Sequence, residues 1–491
     1  MEFISQIFAV QLLMLIITVI NSYILPHEVL NRDTKNVTQL EKDQELFNRT
    51  RRTAATTDKS RLWDKGIIPY VFDNVFAESQ KRLIKKAMRE WERSTCITFV
   101  KRIRGNQAKF LKFTKLNCGC CFMDSPIYRN VKLVSLQNNK CINLPIILHE
   151  LGHAIGFEHE HNRPDRDKYV DIIDGNIHPD YVDQFTKLSH GEVKTFNQSY
   201  DYRSVMHYPQ ESFSYFSNMK TLIPREKNEN ITPAIGYNNK LSLGDSVTTN
   251  ILYQCPKCGG TLLGPSGFFK SPINPNGSLV GSERCEWRIR AAEGEKIEVY
   301  ITGLSIYETH DCAVDYLEIK NGYRTDGQVL ARYCGDSYTA YVIASNYLLV
   351  TYVKNSDKSI YNRFLADYKT ICGGDVGLEK DTPFNFESTN YPDKYPPNRR
   401  CIWYFTAPEN HRIVMKINYF ALEMSDDCIN DFLEIRDGND EHAVLIGLYC
   451  GAKYVSKVNS TKNKLSVVFG SNNMKEHFGF SSTLTAILIE N

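Results

Sequence analysis

The stretch His149-Glu150-Leu151-Gly152-His153-Ala154-Ile155-Gly156-Phe157-Glu158-His159 constrains this chain more than any other. Residues four apart lie one above the other on a helix face, so His149 and His153 can aim a ring nitrogen at one ion. Glu150 follows the first histidine directly, where a carboxylate can act on a water at a metal. Gly156 is expected to stop the helix, and the turn beyond it can bring His159 round as a third imidazole. Three protein ligands leave one coordination position open, as catalytic zinc needs and structural zinc does not. A bare HExxH can be an accident of a helix, whereas the longer spacing through Gly156 to His159 makes accident improbable. The expectation is zinc-assisted peptide hydrolysis.

The 491 residues suffice for about three domains. The 59 basic and 57 acidic side chains nearly cancel, to a net charge of +2. Nothing in that balance calls for nucleic acid or an anionic membrane as a partner. From Ile7 to Ile20 the chain is apolar except for Gln11 and Thr18. That run is short for a membrane span and sits where a secretory signal would, so residues 1–22 are read as a signal peptide rather than an anchor. No later stretch is apolar enough to span a bilayer. All fourteen cysteines lie from Cys96 onward, an even number, which favours disulfides in a secreted chain. Asn36, Asn48, Asn197, Asn230, Asn276 and Asn459 head Asn-x-Ser/Thr triplets compatible with secretion.

Residues 23–52 are polar, lack cysteine and end in Arg49-Thr50-Arg51-Arg52, which reads as a propeptide closed by a convertase site. Ile67 to Phe72 reads as a strand. Glu78 to Ser94 has helical periodicity in Leu83, Ile84, Ala87, Met88 and Trp91, an apolar stripe suited to a core. Val131 to Leu136 alternates weakly. It is either a sheet edge that a peptide could join or an ordinary interior strand.

After Cys255 the texture changes to short strand patterns and turns, and this half repeats itself. Cys258-Gly259-Gly260 returns as Cys372-Gly373-Gly374, Cys285-Glu286-Trp287 as Cys401-Ile402-Trp403, and Tyr333-Cys334-Gly335 as Tyr449-Cys450-Gly451. Cys312 with Asp315-Tyr316-Leu317-Glu318-Ile319 returns as Cys428 with Asp431-Phe432-Leu433-Glu434-Ile435. A period of roughly 115 residues is a domain length rather than a solenoid unit. Two tandem all-β modules with four cysteines each are expected.

From Ala54 to Cys255 the sequence resembles the astacin family of zinc endopeptidases, a metzincin group. The segment HELGHAIGFEHEHNRPDRD (149–167) carries that family's extended zinc motif, and Ser204-Val205-Met206-His207-Tyr208 resembles its Met-turn. Cys118-Gly119-Cys120-Cys121 and the RTRRTAATT junction are most similar to the tolloid/procollagen C-proteinase branch, and the repeats resemble CUB modules. The resemblance implies an α+β protease domain over residues 53–257 and two all-β CUB sandwiches over 258–371 and 372–491. It implies His149, His153, His159 and a switchable Tyr208 as zinc ligands, with Glu150 as general base and acid. Met206 would floor the metal, and Tyr208 would stabilise the oxyanion. The mature N-terminus would be buried near Glu160, which ties activity to trimming after Arg52. Asp33 and Asp43 are the acidic candidates for latency, since a cysteine switch is excluded.

The implied disulfides are Cys96–Cys255, Cys118–Cys141, a vicinal Cys120–Cys121, and Cys258–Cys285, Cys312–Cys334, Cys372–Cys401 and Cys428–Cys450. A preference for an acidic residue just after the cut would need a basic pocket, for which Arg225 and Lys240 are candidates. Calcium would sit among Glu423, Asp431 and Asn472 in the second module and Glu308, Asp315 and Asp357 in the first. The resemblance implies a secreted enzyme acting on extracellular proteins, collagen or growth-factor-related precursors among them, with docking through the CUB modules. A hatching-type or degradative astacin is an alternative. So is an inactive CUB-based binding protein, against which the intact Glu150 and three histidines argue.

Overall fold

The computed structural model describes residues 54–102, 109–124, 130–137, 140–225, 233–236, 238–272, 283–323, 327–337, 339–356, 363–440, 442–452 and 457–489. The expected signal segment, the propeptide with Asp33 and Asp43, Asp357, and the acceptors Asn36, Asn48, Asn230 and Asn276 lie outside them.

Among the described residues three large apolar cores form, one drawn from residues 63–206, one from 269–368 and one from 378–486. In the first, strands β1 (Ala54–Thr56), β2 (Ile67–Phe72), β3 (Thr98–Lys101), β4 (Phe110–Thr114), β5 (Cys120–Asp124) and β6 (Val131–Leu136) precede the zinc-motif helix. The main sheet runs β3-β2-β4-β6-β5, parallel except for the β5–β6 pair. Val131–Leu136 is therefore an interior strand, hydrogen-bonded on both sides. The edge belongs to β5, whose second side no described strand pairs.

Helix α1 (Glu78–Ser94) forms where its apolar stripe predicts, burying Ile84, Ala87, Met88 and Trp91. Helix α2 (Leu144–Ile155) holds the first two motif histidines. Asn143 caps it, its side chain accepting the Ile146 N–H at 3.0 Å, and Pro145 sits in the first turn, where its missing N–H costs nothing. Gly156 ends α2 at φ 123°, a conformation other residues avoid, and its N–H donates to the carbonyls of Gly152 and His153.

Beyond this stop, β7 (Phe157–Glu158) pairs with β1, which also pairs with β9 (Val193–Lys194); β8 (Val170–Ile172) lies between them in sequence. The residues just after the dibasic cluster are thus the middle strand of a small sheet, with Ala55 fully buried. Helix α3 (Leu243–Leu252) starts at Ser242, whose hydroxyl accepts the Asp245 N–H while Asp245 accepts the Ser242 N–H. Residues 167–186 and 209–225 belong to a compact unit of their own. In it β8 pairs antiparallel with β10 (Leu222–Pro224).

Each later core lies between two sheets. In the first module, strands Cys258–Leu262, Glu283–Arg290, Tyr347–Lys354, Tyr316–Asn321 and Val329–Tyr333 make one sheet. Ser266–Lys270, Arg363–Ile371, Lys296–Ile306, Gly335–Ser337 and Ala340–Ala344 make the other. The second module repeats this with five and four strands. Alternation is plain in Arg363–Ile371, where every second residue is buried, as a half-buried strand requires.

All fourteen cysteines are bridged. Five pairs are the implied ones, Cys96–Cys255 and the four within the modules. The other two are corrected to Cys118–Cys121 and Cys120–Cys141. Cys120 and Cys121 are consecutive in β5, so their side chains leave opposite faces of the strand. Cys120 packs against the core beside buried Cys141, while Gly119, at φ 79°, turns Cys118 back towards Cys121.

Candidate active site

Helix α2 and the turn after Gly156 bring His149, His153 and His159 together. Their Nε2 atoms are 3.1, 3.1 and 3.2 Å apart. Three corners of a tetrahedron with Zn–N bonds of ~2.0–2.1 Å would be about 3.3 Å apart, so the set fits zinc closely. Among the described residues no other group of three or more histidine, cysteine or acidic side chains converges in this way. His149 Nδ1 lies 2.7 Å from the Val205 carbonyl and His153 Nδ1 2.9 Å from the Phe157 carbonyl. A carbonyl only accepts, so both Nδ1 atoms carry the proton and both Nε2 lone pairs face the metal position. Burial pushes the His149 pKa down to about 4, which leaves a neutral imidazole, the form that ligates.

Glu150, on the helix beside His149, is 5% exposed. The Tyr208 ring centroid lies 4.2 Å from that of His159 and 6.3 Å from that of His149. Met206, 1% exposed, packs beneath the helix at Gly152, where a Cβ would collide with its sulfur. The sequence motif leaves position 152 open; the approach of Met206 closes it to anything larger than glycine. Phe122 of the edge strand β5 stacks on the His153 ring, with centroids 6.3 Å apart.

Residues outside every motif hold this arrangement. The buried Asp245 carboxylate accepts the Ser204 hydroxyl at 2.6 Å and the Val205 N–H at 3.1 Å, pinning the loop whose carbonyl orients His149. Burial raises its pKa to about 6. Tyr200 Oη and His207 Nε2 are 2.7 Å apart, and His207 Nδ1 donates to the Tyr208 carbonyl at 2.8 Å. Burial lowers the His207 pKa to about 4, so the ring is neutral and accepts from Tyr200. Glu160 accepts from Arg163 and from the Asp201 N–H, lines a small cavity with Ala55 and Asp201, and is pushed up to about 7 by burial.

The other candidates stand apart. Arg225 is exposed and donates twice to Asp171, at 2.8 and 2.6 Å. Lys240 is exposed, with no ion pair among the described residues. In the second CUB module Asp431 accepts the Tyr395 hydroxyl at 2.5 Å and the Asn472 N–H at 2.8 Å, and the Asn472 side chain donates to Glu423 at 3.2 Å. In the first, Asp315 is wholly buried and accepts the N–H groups of Asn355 and Ser356 and the Ser356 hydroxyl. Glu308 is exposed beside Gly335.

A helix built to present this site, backed by a buried glutamate, makes the domain a zinc metalloendopeptidase. Comparison narrows the class. The astacin peptidase family matches residues 55–254, and the CUB domain matches 258–368 and 372–484. The bone morphogenetic protein 1 homolog of Strongylocentrotus purpuratus is 38% identical over 432 residues, which are 87% of this chain and 67% of that protein. Tolloid-like protein 2 of Mus musculus is 37% identical over 452 residues, 92% of this chain and 44% of the relative. Among solved structures, the hatching enzyme zinc-protease high choriolytic enzyme 1 of Oryzias latipes is 32% identical, covering 41% of this chain and 95% of that one, with a TM-score of 0.35. The chain belongs to the astacin family, among its tolloid-like members with CUB domains. It spans less than half the length of the tolloid-like proteins it matches.

Proposed function

We propose that this chain is an extracellular processing endopeptidase, made as a zymogen and acting on other secreted or matrix proteins. The convergence of three Nε2 atoms beside buried Glu150 carries the reading. Zinc held by His149, His153 and His159 would supply Lewis-acid polarisation of a water and of the scissile carbonyl. Glu150 takes the proton from the attacking water and delivers it to the leaving amine. Tyr208 donates to the developing oxyanion, a contribution of about 3–4 kcal/mol in comparable sites. The free side of β5, beside Phe122 and His153, suits an extended peptide joined by main-chain hydrogen bonds.

Cleavage after Arg52 is the proposed activating event. It would free a chain end one residue before strand β1 in sequence, whose Ala55 lines a cavity with Glu160 and Asp201, carboxylates suited to pair with a new ammonium. A preference for an acidic residue after the cut falls better to Lys240 than to Arg225, whose charge already faces Asp171. Calcium in the second module would use Glu423, Asp431 and the Asn472 carbonyl oxygen, which hydrogen bonds already bring together. Among the described residues no helix is long and apolar enough to cross a membrane.

The decisive experiment compares matrix proteins cut by the activated chain and by Glu150→Ala. Discrete cleavage products with one dominant site each support processing. Broad degradation supports the digestive, hatching-type alternative.

A further inference from the structure

Helix α1 has two working faces. The inner one carries Trp91, fully buried, whose indole N–H donates to the Leu148 carbonyl at 3.3 Å and whose ring lies 5.9 Å from Phe157. Leu148 immediately precedes His149, so this face touches the helix that presents two of the zinc ligands. The outer face bears Arg82, Lys85, Arg89 and Arg93, spaced three or four apart and hence aligned along one side. Such a stripe ordinarily faces water. Here it faces the second CUB module.

The guanidinium of Arg82 lies 4.1 Å from the Phe478 ring centroid and 5.3 Å from that of Tyr419. Lys85 pairs with Glu387 and lies 5.1 Å from the Tyr391 ring. Arg89, 3% exposed, donates to the Tyr391 carbonyl at 2.6 Å, the Asn390 carbonyl at 3.0 Å and Asp393 at 2.8 Å. Arg93 reaches the same Asp393 at 3.2 Å. The first module grips the neighbouring side. Glu92, wholly buried, accepts the Phe99 N–H at 2.8 Å and Arg290 at 3.1 Å. Arg288 donates to the Cys96 carbonyl, to Thr98 Oγ1 at 2.8 Å and to the Lys65 carbonyl at 3.0 Å. Buried charges persist where partners offset them, and the two terminal nitrogens of Arg89 find theirs in the second CUB module, while its buried Nε has none among the described residues.

We propose that the two CUB modules are positioning elements for the zinc site. They clamp α1 from outside so that Trp91 holds α2, and with it His149 and His153, in register. Arg89 is the central positioning residue, acting through the helix on Trp91. The modules would then govern turnover even of a peptide too short to touch them, a role separate from docking large substrates. The proposal rests on the endopeptidase reading, and its test has one arm that does not need activity.

The test uses the full chain after activation, loaded with zinc, with Arg89→Met, Lys85→Gln as the milder variant, and Arg89→Lys as the conservative rescue. On a short fluorogenic peptide, kcat should fall about fivefold to tenfold in Arg89→Met with KM changed less than about twofold, as small misplacements of catalytic groups do. Lys85→Gln should fall less, and Arg89→Lys should recover most of the loss. Hydrogen exchange should show faster exchange along both α1 and residues 144–155 in Arg89→Met, with zinc content unchanged. Unchanged kcat together with unchanged exchange over 144–155 would overturn the proposal, and so would a rise in KM alone. If the wild-type chain hydrolyses no peptide, the endopeptidase reading fails while the exchange arm still decides the clamp. If Arg89→Met does not fold, Lys85→Gln decides on the same two readouts.

Discussion

The zinc site and the acidic end of the second CUB module are both candidate cation sites, and they are built in opposite ways. His149, His153 and His159 come from one helix turn and the loop after it, and their geometry follows from helix periodicity and a glycine stop. Glu423, Asp431 and Asn472 come from separate loops and meet because a sandwich folds around them. The first site is dedicated, the Nδ1 protons of His149 and His153 spent on carbonyls and the three Nε2 atoms turned to one point. In the second, Asp431 already serves as a loop fastener, accepting from Tyr395 and Asn472. Asp315, at the matching place in the first module, has gone further, taking three donors from Asn355 and Ser356. A local site is made for its ion, whereas a topological one serves the fold first.

The sharpest way to break this comparison is His153→Ala against Asp431→Ala. The first should lose zinc and at least about a thousandfold in peptide turnover, as loss of a metal-assisted step implies. The second should keep zinc and turn over a short peptide within about twofold of wild type. Metal analysis and steady-state kinetics check both. Large losses in both would mean that the two sites are not independent.

A smaller effect concerns the support of the dedicated site. Asp245→Asn keeps the shape but cannot accept two N–H groups on one oxygen and the Ser204 hydroxyl on the other without turning its amide against a donor. A cost of about 1–3 kcal/mol follows, read by chemical unfolding. The carboxyl has its pKa raised from 3.8 to about 6 by burial. The folded state therefore holds an extra proton between those values, and this group's contribution is complete below pH ~4 and lost as pH rises through ~6. The variant should flatten that part of the stability profile, and an unchanged slope would assign it elsewhere.

The smallest expected effect is calcium. Added to the full chain, it should raise the melting temperature of the unfolding step that contains the second module by a few degrees, about 1 kcal/mol of linkage, and Asp431→Ala should abolish the shift. A shift that survives in Asp431→Ala but not in Asp315→Ala would reverse the assignment.

The same contrast explains what the sequence made legible. The convergence of His149, His153 and His159, the stop at Gly156, the helix over Glu78–Ser94, the repeat and five of the disulfides could be read or inferred by resemblance, because each depends on local pattern or matched spacing. The bridges of Cys118, Cys120, Cys121 and Cys141 could not, since strand alternation in β5 separates two adjacent sulfurs. Nor could the interior place of Val131–Leu136, because pairing partners are a matter of topology. Asp245 lies far along the chain from Ser204 and belongs to a capping box that looks ordinary by itself. The basic stripe of α1 reads as a solvated face until the modules that cover it are folded.

The most direct test of the zinc-site chemistry is metal content and peptide turnover measured on the same preparations of wild type and Glu150→Ala. Both should hold one zinc per chain, and peptide hydrolysis should be confined to the wild type. Turnover retained by Glu150→Ala, or zinc lost from it, would contradict the assignment of Glu150 as the proton carrier beside a three-histidine metal site.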